Sequence, residues 1–297
     1  MPAAQPRRID VFSLKGGVGK TTLAILLARA QMLASKKSVL LVDADLTGTC
    51  VGDLLEWWAT PGWSAQTNLA HLVCGAPERL DELLNQNLPV YVHRIAPPTN
   101  EDRSPLRFVK GGKSAKLLFC PSHAESSANK NPLVEVRRGV LQALIGHENA
   151  GGFVGHVIEQ LIAKVAKLTE LGGVIVDHGP GFSALQSATF ASQRGVSEHR
   201  SLFVTSRDAV DLAMIHDFEK KLDLEDREHT FWVVNKTPLE GKNKIDPRFH
   251  RKLSWFEEAL PFLEDNKLSQ DYANAGLLEA DSPNVEPLGN LRAALFV

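Results

Sequence analysis

The segment Lys15-Gly16-Gly17-Val18-Gly19-Lys20-Thr21-Thr22 constrains this chain more than any other feature, because of what flanks it. Ile9 to Ser13 is a short apolar run of the kind that forms a buried strand, and Thr21 to Ala34 is rich in Ala and Leu and predicts a helix. A glycine loop between them lies at a helix N-terminus, where backbone N–H groups turn inward and the helix dipole favours an anion. Lys20 is placed to reach β- and γ-phosphate oxygens, and Thr21 to offer its hydroxyl to Mg²⁺. The segment therefore predicts a nucleotide-binding loop formed by Gly16, Gly17, Val18, Gly19, Lys20, Thr21 and Thr22. A ligand-free glycine turn would not require all of these specified positions.

The same alternation of short strands and helices continues along the chain. Ser38 to Val42 is apolar and β-branched and ends in Asp43, as expected of a parallel strand buried on both faces. Lys116 to Cys120, Gly173 to Val176, Ser201 to Thr205 and Phe231 to Val234 are runs of the same kind, most of them separated by helical patterns. The expected fold is one α/β P-loop domain over 1–297: a single doubly wound, mostly parallel sheet with helices on both faces. Asn87 to Lys116, with Pro97-Pro98, Pro105 and Gly111-Gly112, predicts a loop or excursion from the sheet edge.

Two acidic segments are expected at the carboxyl end of this sheet, where ligands of such folds bind. Val42-Asp43-Ala44-Asp45 carries two carboxylates that alternation sends to the same side. Val174-Ile175-Val176-Asp177 ends a second strand and is followed by His178-Gly179-Pro180-Gly181. By itself Asp-x-Asp also serves turns and helix caps.

The loop departs from the common G-x-x-x-x-G-K-T spelling, since Leu14 stands where the first glycine is expected and Lys15 supplies a second lysine. This K-G-G-x-G-K-T-T form resembles the deviant-Walker ATPases of the ParA/MinD family, closest to the ParA/Soj partition branch. The resemblance implies an ATPase that hydrolyses ATP with Mg²⁺ at a site shared by two protomers, so that ATP binding makes a homodimer. Lys15 would reach across to the partner's phosphates, Lys20 would hold its own nucleotide, and Asp45 would orient the attacking water. Thr21, Asp43 and Asp177 would hold the metal, directly or through water. His178-Gly179 departs from the family pattern after the strand aspartate; His178 reads either as a γ-phosphate contact or as a structural histidine. Val233-Val234-Asn235-Lys236 resembles the base-proximal strand end, and Asn235 reads either as an adenine contact or as a turn residue. Ala259-Leu260-Pro261-Phe262 resembles the family's later segment near the base, which places Pro261 beside the nucleotide.

Composition limits what the switch acts upon. With 33 Lys plus Arg against 35 Asp plus Glu, the net charge of −2 provides no global attraction to nucleic acid or anionic lipid. Cys50, Cys74 and Cys120 are far apart and show no ligand spacing, which disfavours a metal cluster or a disulfide framework. The polar start at Met1 to Arg8 and the lack of a long apolar run predict a cytoplasmic protein. Leu288 to Val297 has one cation, Arg292, and no clear polar face, so a direct membrane anchor is not expected. Lys242, Lys244, Arg248, Arg251 and Lys252 form the densest basic cluster, readable as a non-specific DNA contact or as a solvated loop. The first expectation is thus an ATP-dependent switch that moves or positions DNA or a protein cargo, with a protein activator. The alternatives are a switch acting only on protein partners, and a nucleotide-binding interaction protein with little hydrolysis.

Overall fold

The computed structural model describes residues 6–46, 68–75, 77–86, 88–93, 115–122, 150–181, 186–187, 189–190, 199–206, 208–222, 228–235, 258–259 and 285–296. Eight strands among them form one sheet: β1 (Arg8–Phe12), β2 (Ser38–Ala44), β3 (Tyr91–His93), β4 (Leu117–Cys120), β5 (Leu171–His178), β6 (His199–Thr205), β7 (Thr230–Val234) and β8 (Glu258–Ala259). Their order is β3-β4-β2-β5-β1-β6-β7-β8, and every neighbouring pair is parallel except β3 with β4. The expected mostly parallel, doubly wound sheet is therefore present. Strand order reverses at β1, which is flanked by β5 and β6, and ligand crevices of such sheets open at that point.

Alternation along the strands divides the core between two faces. Ile9, Val11, Val39, Leu41, Ile175, Leu202 and Val204 pack with α1 (Lys20–Ser35). Their neighbours Leu40, Val42, Val174 and Val176 turn to the opposite face, under α2 (Leu69–Cys74), α3 (Leu80–Gln86) and α4 (Ala150–Leu168). Because both faces are covered, β2 is buried at all seven positions, and its stretch from Val39 to Val42 is continuously apolar. Helix α1 is buried nearly all round because α6 (Val285–Phe296) covers it as well, through Leu288, Leu291 and Leu295. Phe12, Phe203 and Trp232 form a stack on the second face, with centroid separations of 5.2 and 4.6 Å, covered by α5 (Ala209–Glu219).

Several boundaries differ from expectation, each for a packing reason. β5 begins at Leu171 and runs through His178, because β2 pairs with it over that whole length, while β1 pairs only with Val174 to Asp177. The stretch expected to be loop from Asn87 contains the edge strand β3, whose three residues pair antiparallel with Leu117–Phe119. A strand this short carries no periodic signal of its own and takes its conformation from the partner it borders. Residues 94–114 lie outside the described residues. Helix α5 starts at Ala209, where the Asp208 side chain accepts from the Val210 N–H at 2.8 Å.

Candidate nucleotide site

The loop after β1 has the backbone that its glycines predict. Gly17 and Gly19 have φ of 75° and 85°, the left-handed region that disfavours side chains, and a β-carbon on Gly17 would meet no atom within 4 Å. Gly19 is also the N-cap of α1, and no side chain caps that helix, so its first-turn N–H groups have no side-chain acceptor there. A loop of this form is suited to receive a phosphate. Gly16 packs against Pro180, a β-carbon there lying 3.5 Å from Pro180 Cβ, which joins the loop to the turn after β5.

The acidic residues converge on the loop as their strands predict. Asp43 and Asp177 are register partners on β2 and β5. Lys20 Nζ donates to Asp177 Oδ1 at 2.5 Å. Asp177 Oδ2 is buried and accepts no hydrogen bond among the described residues, as a carboxylate oxygen suited to a cation or its water would. Both oxygens of Asp43 are engaged within the fold: Oδ1 accepts from the Asp45 N–H at 3.1 Å and Oδ2 from the Ser122 hydroxyl at 2.9 Å, one bond to each. These bonds fix the Asp43-Ala44-Asp45 backbone and hold the Asp45 carboxylate against Gly179. The residue types fit a metal-nucleotide ligand: one cation for phosphate, hydroxyl and carboxylate oxygens for a hard metal, and a glycine cradle.

Lys15 lies at the surface, half exposed at 52%, and its Nζ is 3.2 Å from Asp211 Oδ1 and 3.9 Å from Asp208 Oδ2. Both aspartates belong to the start of α5, and the Ser206 hydroxyl donates to Asp211 Oδ2 at 2.5 Å. Within one protomer, then, the second lysine turns away from the Lys20–Asp177 pair and toward α5.

Two residues that the sequence left open between a ligand contact and a structural role are bonded within the fold. Asn235 is fully buried, and its Nδ2 donates to the Val18 carbonyl at 2.7 Å, so β7 braces the loop from behind. The sequence offered an adenine contact or a turn residue at this strand end, and the bond to Val18 is a third role that only the fold shows. His178 faces away from Asp177 and is part of a buried cluster centred on Asp10 of β1. Asp10 accepts from His178 Nε2 at 2.5 Å, His199 Nε2 at 2.8 Å, and Arg8 Nε and Nη2 at 2.6 and 2.8 Å. Burial alone would raise the Asp10 carboxyl, but the Arg8 guanidinium and the two imidazoles hold it well below the usual carboxylate range. An ionised Asp10 accepts only, so each histidine carries its proton on Nε2. Burial also pushes the His178 imidazole down, and its ring stacks on Phe12 at 4.3 Å. The structural reading of His178 is the one this geometry supports. Pro261 and the basic cluster Lys242, Lys244, Arg248, Arg251 and Lys252 lie outside the described residues.

A family model described as the CobQ/CobB/MinD/ParA nucleotide binding domain matches residues 9–271. The chain belongs to this family of nucleotide-binding proteins. One curated relative, the maintenance of carboxysome distribution protein A of Gloeobacter kilaueensis, is 49% identical over 63 residues, 21% of this chain. The match spans about a quarter of that relative, 26% of its length. A ParA family ATPase from Chlorobium tepidum has a TM-score of 0.58 at 16% identity, over 97% of this chain and 98% of its own. Apo McdA from Cyanthece also has a TM-score of 0.58 at 16% identity, over 98% and 99% of the two chains. These likenesses show the ParA/MinD P-loop fold. Among the described residues, no helix is long and apolar enough to cross a membrane.

Proposed function

We propose that this ParA/MinD-family chain is an ATP-hydrolysing switch that dimerises around its nucleotides and positions a DNA or protein cargo. The observation that carries this reading is the meeting of the glycine loop, Lys20 and Asp177 at the switch point of the sheet. The orphaned Asp177 Oδ2 supports a metal-assisted site. Thr21, Asp43 and Asp177 would hold Mg²⁺, which would supply positive charge to the phosphate groups during transfer. Loop N–H groups and Lys20 bind and orient the phosphates. Asp45, held by Asp43, orients the attacking water. Exposure of Lys15 at the same end of the molecule leaves it within reach of a second protomer. Likeness to a carboxysome distribution protein supports a positioning role, and the whole chain, 1–297, would act as one P-loop unit.

Light scattering in ATP and Mg²⁺ tests the shared site. Lys15→Gln should bind ATP but remain monomeric and inactive, whereas Asp45→Ala should bind, dimerise and stay locked. Both variants remaining monomeric while the unmutated protein hydrolyses ATP as a monomer would overturn the shared-site mechanism. Salt-sensitive binding of the ATP-bound protein to arbitrary duplex DNA, lost in Arg248→Glu with Arg251→Glu, would identify DNA as a partner. Its absence would favour protein partners alone.

A further inference from the structure

The turn after β5 brings a residue to the hydrolytic end of the site that neither its motifs nor its strands mark. A β-carbon built on Gly179 would lie 3.0 Å from Asp45 Oδ1 and 3.0 Å from Gln186 Nε2, and 3.4 Å from Asp45 Cγ. Carboxylate and carboxamide therefore face one small volume that exists because position 179 has no side chain. Gln186 is 7% exposed and lies nine residues beyond Asp177, on the far side of the Gly179-Pro180-Gly181 turn. The same turn touches the phosphate loop through Pro180 and Gly16. Loop, turn, Asp45 and Gln186 form one contiguous packed unit.

We infer that Gln186 is a positioning residue for hydrolysis, acting through Asp45: its amide fixes the carboxylate in the orientation that aligns the attacking water. This rests on the proposed ATPase function and on the role given to Asp45 there. In the step concerned, the water oxygen bonds to the γ-phosphorus and the bond from that phosphorus to the β,γ-bridging oxygen breaks. ADP leaves with the electron pair, and the water's proton is released with inorganic phosphate. Neither Gln186 nor Asp45 is consumed. A carboxamide suits the task because it donates a hydrogen bond to a carboxylate without adding a second negative charge near the γ-phosphate. A glycine at 179 is required for the same reason, since a methyl group would enter the space the two groups face.

The test is a double-mutant cycle on ATP turnover in the full chain, with ATP affinity measured by calorimetry. Gln186→Ala should lower kcat about tenfold or more while ATP affinity changes less than about twofold, because a positioning effect appears in turnover rather than ground-state binding. On the slow residual γ-phosphate release of Asp45→Ala, followed over long incubation, the same substitution should have no further effect. Gln186→Glu keeps the packing volume but replaces the donor, so it should lower kcat as much as alanine does and recover activity on acidification. This second variant carries the test if the alanine variant is unstable. An unchanged kcat in Gln186→Ala and Gln186→Glu, with Asp45→Ala impaired, would overturn the inference and leave the proposed function standing. Equal losses from Gln186→Ala with and without Asp45 would also overturn it. Full turnover in Asp45→Ala, or none in the unmutated protein, would instead bring down the reading on which it rests.

Discussion

Lys20 Nζ and Asp177 Oδ1 are 2.5 Å apart, which joins the first turn of α1 to the end of β5 through a buried ion pair. Neither partner is free to regain water when the other is removed. Lys20→Ala should therefore do two things: abolish ATP binding and destabilise the fold by about 3–5 kcal/mol, the cost of leaving a buried charge alone. Removing Asp177 as well should restore part of that stability and none of the binding. Denaturant unfolding of the single and double variants, with calorimetry of ATP, measures both. A single variant that unfolds at the unmutated midpoint would contradict the pair's role.

The contact between Lys15 and Asp211 gives a prediction of opposite sign. If Lys15 serves a partner's phosphates, it must first leave the carboxylate that lies 3.2 Å away. Its exposure keeps that cost small, about 1 kcal/mol at most. Asp211→Asn should thus strengthen ATP-dependent dimerisation by up to about fivefold, the same energy expressed as an equilibrium. Sedimentation equilibrium with ATP and Mg²⁺ would show this, and weaker association would argue that Asp211 supports the dimer instead.

Asp10 predicts acid lability. Its folded-state pKa is depressed, so the stability it contributes is fully present above the ordinary carboxylate value of about 3.9. That stability is lost as pH falls from there toward the depressed value, as the unfolded chain takes up the proton first. Asp10→Asn should remove this part of the pH dependence and cost about 1–3 kcal/mol at neutral pH, because Arg8 loses its buried partner and keeps only the more exposed Glu159. Unfolding midpoints from pH 7 down to about pH 2 would test both, and an unchanged slope in the variant would assign the acid loss to other groups.

Asn235→Ala should loosen the phosphate loop. The Val18 carbonyl would lose its buried donor, at a cost of about 1–3 kcal/mol. Because that carbonyl belongs to the loop itself, ATP affinity measured by calorimetry should fall about tenfold. A stability loss with unchanged affinity would reduce Asn235 to a brace of the fold.

Local chemistry made the loop and the acidic strand ends legible in sequence. Gly17 and Gly19 occupy backbone conformations that favour glycine, and Asp43, Asp45 and Asp177 terminate apolar runs that only a doubly covered parallel sheet explains. Such signals lie within a few residues of one another, so the sequence alone determined the glycine loop, the fold class and the acidic strand ends. Tertiary structure decided what depends on contacts between distant segments. β3 is a strand because β4 borders it, Asn235 braces Val18 across 217 positions, and Asp10 collects Arg8, His178 and His199 from three strands. Lys15 rests on Asp211, and Asp45 and Gln186 both border the space over Gly179, for the same reason. A side chain's partner at such range is set by strand order and register, and neither leaves a spacing that can be read along the chain.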